Sequence, residues 1–179
     1  MNKITIHIMI GLPGCGKTTF ANTLINENVA LISEDDGPMN LPSEVVRRIH
    51  QGYNEVVIDI LIMNMKLLSR IKERISEACE DLDLTVEYKL YVFRPNLEWS
   101  LVNDFIRGRS KSAKQTINFM YNRWDFKFEE FENIIVMDSH KPSMIELLLY
   151  DNKVDPKKYK DPINELKRRN LLTNDYDVL

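Results

Sequence analysis

The chain has 179 residues, 28% charged and 44% hydrophobic, with 24 Lys and Arg against 27 Asp and Glu, a formal net charge of -3 and a pI of about 5.7. That length suits one domain with a sizeable core, and the composition excludes a disordered, collagen-like or disulfide-scaffold protein. The acidic balance excludes a surface that attracts nucleic acid as a whole, so any such binding needs a local patch.

The two cysteines, Cys15 and Cys79, read as reduced intracellular thiols rather than a framework. No stretch reaches the roughly 18 apolar residues of a membrane span, so the expected location is cytoplasmic with no membrane partner.

β-branched residues dominate 3–10, which predicts a buried strand that stops at Gly11-Leu12-Pro13-Gly14, with a helix over 17–27. A second strand is expected at 29–32, closing on Ser33-Glu34-Asp35-Asp36-Gly37-Pro38, then a helix at 43–51 and a third strand at 55–60 containing one acid, Asp59. Leu67, Leu68, Ile71, Ile75, Ala78 and Leu82 share one face at helical spacing. Residues 84–93 read as a fourth strand; Arg94-Pro95-Asn96 breaks it and opens a helix carrying Leu97, Leu101, Val102, Phe105 and Ile106. The polar, basic stretch 107–115 predicts a mobile loop before helical spacing resumes at Ile117, Met120, Tyr121 and Trp124. A fifth strand is expected at 133–139 and a helix at 143–150, with 151–179 as a charged tail, ordered in part. Strands alternating with helices predict an α/β protein with an open, mainly parallel five-stranded sheet flanked by helices. The expected units are a domain over 1–150, with a helical lid around 107–115, and the tail.

The stretch Gly11-Leu12-Pro13-Gly14-Cys15-Gly16-Lys17-Thr18-Thr19 satisfies the P-loop pattern, in the strand-loop-helix context that the pattern requires. Glycines let backbone N–H groups converge on phosphate oxygens and the helix N-terminus adds a positive end. Lys17 reaches the β and γ phosphates and Thr18 binds Mg²⁺. Cys15 stands at a variable position where its backbone matters more than its thiol. The implied ligand is a nucleoside triphosphate, ATP with Mg²⁺, in a P-loop NTPase fold. Asn152-Lys153-Val154-Asp155 matches a guanine-selecting pattern in its letters but follows no convincing strand.

Other residues bear on what is done with the phosphate. Asp35 stands after the second strand where it can take a proton from an acceptor hydroxyl, with Asp36 as the neighbouring alternative; "SEDDGP" also reads as a solvated turn. Asp59 divides among a metal role, an acceptor role and a purely structural one. Arg107 and Arg109, with Lys111 and Lys114 beyond, suit a lid that closes over ATP and sets guanidinium groups on its phosphates, or else a solvated basic linker. Trp99 and Trp124 read as core more than as base-stacking platforms, and His7 as structural.

The sequence resembles the kinase domain of bacteriophage-type polynucleotide 5′-kinases, within the group of small P-loop kinases that includes zeta toxins. The resemblance runs over roughly residues 3–125 and rests on "GLPGCGKTT", "SEDD", Asp59 after "VVI", "VEYKLYVF" before "LEWSLVNDFIRGRSKS", and "INFMYNRWD". It implies that Asp35 is the general base, that Arg107 or Arg109 contacts ATP and that Asp59 faces the acceptor. The family's acceptor-binding arginine after the catalytic aspartate is replaced by Gly37-Pro38-Met39-Asn40, which leaves Arg47 or Arg48, and its Thr-Asn pair after the acceptor-side aspartate is replaced by Ile60-Leu61. The expected activity is an ATP-dependent kinase acting on a nucleic-acid 5′-hydroxyl. The alternatives are a kinase of a nucleoside, nucleotide or sugar nucleotide, and an ATP-binding regulatory module with a protein partner.

Overall fold

The computed structural model describes residues 2–33, 40–108, 111–127 and 133–172. The first β-branched run forms β1 (Asn2–Ile10), which lies at the centre of a five-stranded sheet with β2 (Val29–Ser33), β3 (Glu55–Asp59), β4 (Leu84–Phe93) and β5 (Ile134–Met137) in the order β2-β3-β1-β4-β5. All four pairings are parallel. Parallel neighbours need crossover connections, and the helices that supply them cover the faces of the sheet, so its central strands read as largely apolar runs.

The pleat of β1 divides the core. Ile4, Ile6, Ile8 and Ile10 belong to one cluster with Leu41 and Val45 of α2 (Leu41–His50) and Leu68, Ile75 and Cys79 of α3 (Met65–Glu80). Met9, Val57, Tyr91 and Phe93 belong to a second cluster with Ala21 and Phe20 of α1 (Lys17–Leu24). His7 is buried in β1, with Nε2 2.6 Å from Glu55 Oε2 and Nδ1 3.2 Å from the Tyr91 hydroxyl, so its ring is used by the sheet.

The strands fall where the sequence places them, much of the stretch read as a loop at the lid is helical, and residues 151–172 of the tail are ordered. α4 (Leu97–Ile106) is followed by α5 (Lys111–Asn122), so most of the expected loop 107–115 is helical. Lys, Ala and Gln in 111–115 are good helix formers, and Ile117 and Met120 one turn on are buried beside Leu12. Residues 151–172 pack against the domain. After α6 (Met144–Asp151), Val154, Leu166 and Leu172 join Leu149 in a cluster that also takes Phe105 and Ile106 of α4. α7 (Pro162–Arg168) opens on an Asp161 cap and Pro162 in its first turn. The Asn152–Asp155 stretch closes α6, with Asn152 Nδ2 donating to Leu148 O at 2.9 Å and Val154 fully buried, so it is a helix end and does not follow a strand. No helix among the described residues is long and apolar enough to cross a membrane.

Candidate active site

At the C-terminal end of β1 the chain turns through Gly11–Gly16 into α1. Gly14 and Gly16 have φ of 82° and 105°, a conformation that L side chains rarely adopt. A Cβ on Gly14 would stand 2.5 Å from the backbone oxygen of Ser100, so the loop needs glycine there both for its turn and for its closeness to α4. Gly16 is also the N-cap of α1 and provides no capping side chain. The N-cap therefore gives the N–H groups of the first helical turn no side-chain partner at the positive end of the helix.

The loop is tied from two sides. Asn103 of α4, 6% exposed, donates both amide hydrogens to backbone carbonyls, Gly14 O and His140 O, each at 2.9 Å. His140, just beyond β5, in turn donates its own N–H to Cys15 O at 2.9 Å. Three segments distant in sequence are thus tied together through one buried side-chain amide and the main-chain groups it and His140 reach. Cys15 is fully buried; desolvation pushes its thiol up despite nearby Lys17, which keeps it a protonated packing group. The Lys17 ammonium bridges Gly11 O and Leu12 O, 3.0 Å from each, across the mouth of the loop.

Thr18 Oγ1 donates to Asp59 Oδ2 at 2.6 Å, and Asp59, the last residue of β3, is 6% exposed. β3 neighbours β1, and that adjacency brings a carboxylate 41 residues away onto the loop's threonine. The hydroxyl donates its hydrogen bond to the carboxylate and leaves its oxygen lone pairs for a cation. Thr19, next in the helix, is exposed.

Arg107 is exposed at the C-cap of α4, and Gly108 follows it with φ 62°. Asp35, Asp36 and Arg109 lie outside the described residues. Arg47 and Arg48, the remaining arginines that the sequence offers to an acceptor, both pair with Glu44 on their own helix. Arg47 Nε lies 2.9 Å and Arg48 Nε 3.4 Å from its carboxylate, and the Arg47 hydrogen bond leads in holding that carboxyl below its usual range. Trp124 packs beside Phe126, ring centroids 4.9 Å apart, near Ile117 and Met120, and Trp99 is half-buried in α4.

Asn103 and His140 had no motif to announce them. The signal lay in "LEWSLVNDFI", where Ser100, Asn103 and Asp104 set three buried polar residues on one face of an otherwise apolar helix; that face meets the phosphate loop.

No family model matches the sequence, and no curated protein matches it. Among solved structures, the fold is similar to that of a fungal RNA kinase, with a TM-score of 0.63 and 20% identity over 99% of each chain. It is also similar to the protein APE1195, with a TM-score of 0.50 and 17% identity over 76% of this chain and 86% of that one. A tunicamycin resistance protein of Deinococcus radiodurans matches at a TM-score of 0.46 and 16% identity, over 74% and 86% of the two chains. At these identities the likeness is one of fold: the chain has a P-loop α/β fold that it shares end to end with a fungal RNA kinase.

Proposed function

We propose that the protein is an ATP-dependent kinase that transfers the γ-phosphoryl group to a hydroxyl, with the 5′-hydroxyl of a nucleic-acid end as acceptor. The observation that carries this reading is the coupling of the loop threonine to a buried acid at the end of the neighbouring strand, Thr18 to Asp59 at 2.6 Å. A phosphate loop without such a pair can hold an anion; with it, the loop has the oxygen donors that accompany a metal-bound triphosphate. The full-length likeness in fold to a fungal RNA kinase supports a nucleic-acid acceptor.

Phosphoryl transfer asks its protein chiefly for position and charge. The open N-terminus of α1 and the loop N–H groups hold the β and γ phosphates, and Lys17 moves from the carbonyls of Gly11 and Leu12 onto them. Thr18 and Asp59, joined at 2.6 Å, are the residues that would hold magnesium, which when bound would supply charge neutralisation for the triphosphate. The acceptor oxygen forms a bond to the γ phosphorus as the bond to the β,γ-bridging oxygen breaks. ADP leaves, and the hydroxyl proton passes to Asp35, the base that the resemblance assigns. Arg107 and Arg109 stabilise the charge that builds on the transferred group.

Incubation with γ-labelled ATP and a panel of 5′-hydroxyl DNA, 5′-hydroxyl RNA, nucleosides and sugar nucleotides tests the reading. Label on a 5′-hydroxyl strand, lost by roughly a hundredfold or more in Asp35→Asn at unchanged ATP affinity, is the expected result. Tight ATP binding with no labelled acceptor would overturn it in favour of a regulatory module.

A further inference from the structure

We infer that Lys157, in the C-terminal segment, is a triphosphate-binding residue that acts beside Arg107 at the C-terminal end of α4. The inference rests on the proposed use of ATP and brings to that site a cation from outside residues 3–125, where the family resemblance lies. One stripe of α4 leads to the place. Ser100 and Asn103 meet the phosphate loop, the first with its backbone oxygen close to Gly14 and the second with its side-chain amide on Gly14 O at 2.9 Å. Arg107 comes four residues after Asn103, so it continues that stripe one turn past the loop contact.

Gly108 is next, at φ 62°, and the stem of Lys157 crosses it. A Cβ added at Gly108 would stand 2.3 Å from Lys157 Cε, 2.6 Å from Cδ and 2.8 Å from Cγ. Glycine leaves the room in which the lysine lies, and the ammonium, one bond beyond Cε, is at the corner where α4 ends. The segment that carries Lys157 is anchored on both sides. Val154 is fully buried, and Tyr159 packs in the cluster that includes Phe105 and Ile106 of α4. Between them Asp155 Oδ1 accepts from Lys157 N–H at 2.9 Å and Asp155 O accepts from Lys158 N–H at 3.1 Å, an Asx-type turn that presents Lys157 to α4.

Charge shows what that side chain can do. Arg107 and Lys157 are both exposed, and among the described residues the side chain of neither enters an ion pair or a hydrogen bond. Other cations of the segment are already engaged: Arg168 and Arg169 pair with Glu165, and the Lys158 ammonium lies over the Tyr159 ring. Two unpaired cations held at one corner repel until an anion comes between them, and phosphate is the anion that the neighbouring loop is shaped to hold.

The test is calorimetric titration of the intact chain with ATP and Mg²⁺, with the melting temperature as control. Lys157→Met keeps an unbranched stem over Gly108 and removes the charge. Its Kd for ATP should rise about tenfold and depend less steeply on salt, at an unchanged Tm. Lys157→Arg should restore most of the affinity, and Lys158→Met, one residue on, should change nothing. An ATP affinity in Lys157→Met equal to that of the wild type, an Arg variant as weak as the Met variant, or an equal loss in Lys158→Met would each overturn the assignment. Acceptor labelling from γ-labelled ATP separates this failure from that of the kinase reading. Weakened ATP binding in Lys157→Met of a protein that labels no acceptor keeps the lysine and removes the kinase, whereas labelling at an ATP affinity that ignores Lys157→Met does the reverse.

Discussion

Around the phosphate loop the contacts end on main-chain groups: Gly14 against the Ser100 oxygen, the Asn103 side-chain amide bridging the carbonyls of Gly14 and His140, and His140 N–H on Cys15 O. A groove between α2 and α3 is made instead of side chains on two helix surfaces, with exposed Arg70 and Arg74 over an apolar floor. The loop is therefore a fixed cradle that tolerates few residue types, while the groove can change its charges without disturbing the fold.

The largest effect that probes this contrast is a single methyl on the loop. Gly14→Ala forces a side chain into φ 82° and against the Ser100 oxygen at 2.5 Å. Strain and displacement together should remove roughly 2–4 kcal/mol of stability. For a chain of this size that is a Tm lower by about 5–15 °C, accompanied by loss of ATP binding. Arg70→Ala should stay within about 0.5 kcal/mol of the wild type. Equal melting temperatures for the two variants would erase the distinction between cradle and groove.

The next effect decides whether Asp59 belongs to the cradle. The resemblance sets it on the acceptor side, whereas its bond from Thr18 sets it beside the threonine proposed to hold magnesium. Asp59→Asn keeps an oxygen acceptor for Thr18 but removes the charge. We expect the magnesium concentration for half-maximal transfer to rise about 10- to 100-fold, with acceptor KM little changed. A normal magnesium requirement with a raised acceptor KM would return Asp59 to the acceptor side.

The same contrast explains what the sequence discloses. The loop is legible because its glycines, Lys17 and Thr18 are dictated by backbone geometry at fixed spacing. The strands are legible because burial on both faces leaves largely apolar runs such as Ile4 to Ile10, interrupted only by Thr5 and His7. The groove was illegible, since Arg70 and Arg74 on an amphipathic helix look like any solvated face until α2 is set opposite them. Lys111 to Gln115 read as a basic loop because their polarity outweighs their helix propensity when Ile117 and Met120 have no visible partner. That partner, Leu12, lies about a hundred residues earlier. Val154, Leu166 and Leu172 are too far apart to show a period, and only packing against α4 and α6 makes them one cluster.

The smallest effect concerns how the groove is fastened. α3, which carries Arg70 and Arg74, is joined to β4 by Tyr88, whose hydroxyl donates to Lys72 O at 2.7 Å and lies 3.0 Å from Ser76 Oγ. Burial pushes this phenol from its ordinary value near 10 up to about 12, ahead of the opposing hydrogen bond from Ser76. A phenol raised in the folded state favours folding in its protonated form. Its contribution is fully present below pH 10 and is lost as pH climbs from 10 to about 12. Tyr88→Phe should lower stability by about 1 kcal/mol at pH 8 in urea titrations, and that gap should narrow at pH 11 because only the wild type has a phenol to ionise. The variant should also leave ATP binding alone, since α3 supports the groove and not the loop. A gap that stays constant with pH would mean that the phenol is not held in its protonated form by the fold. An effect on ATP binding instead would mean that groove and loop are mechanically one.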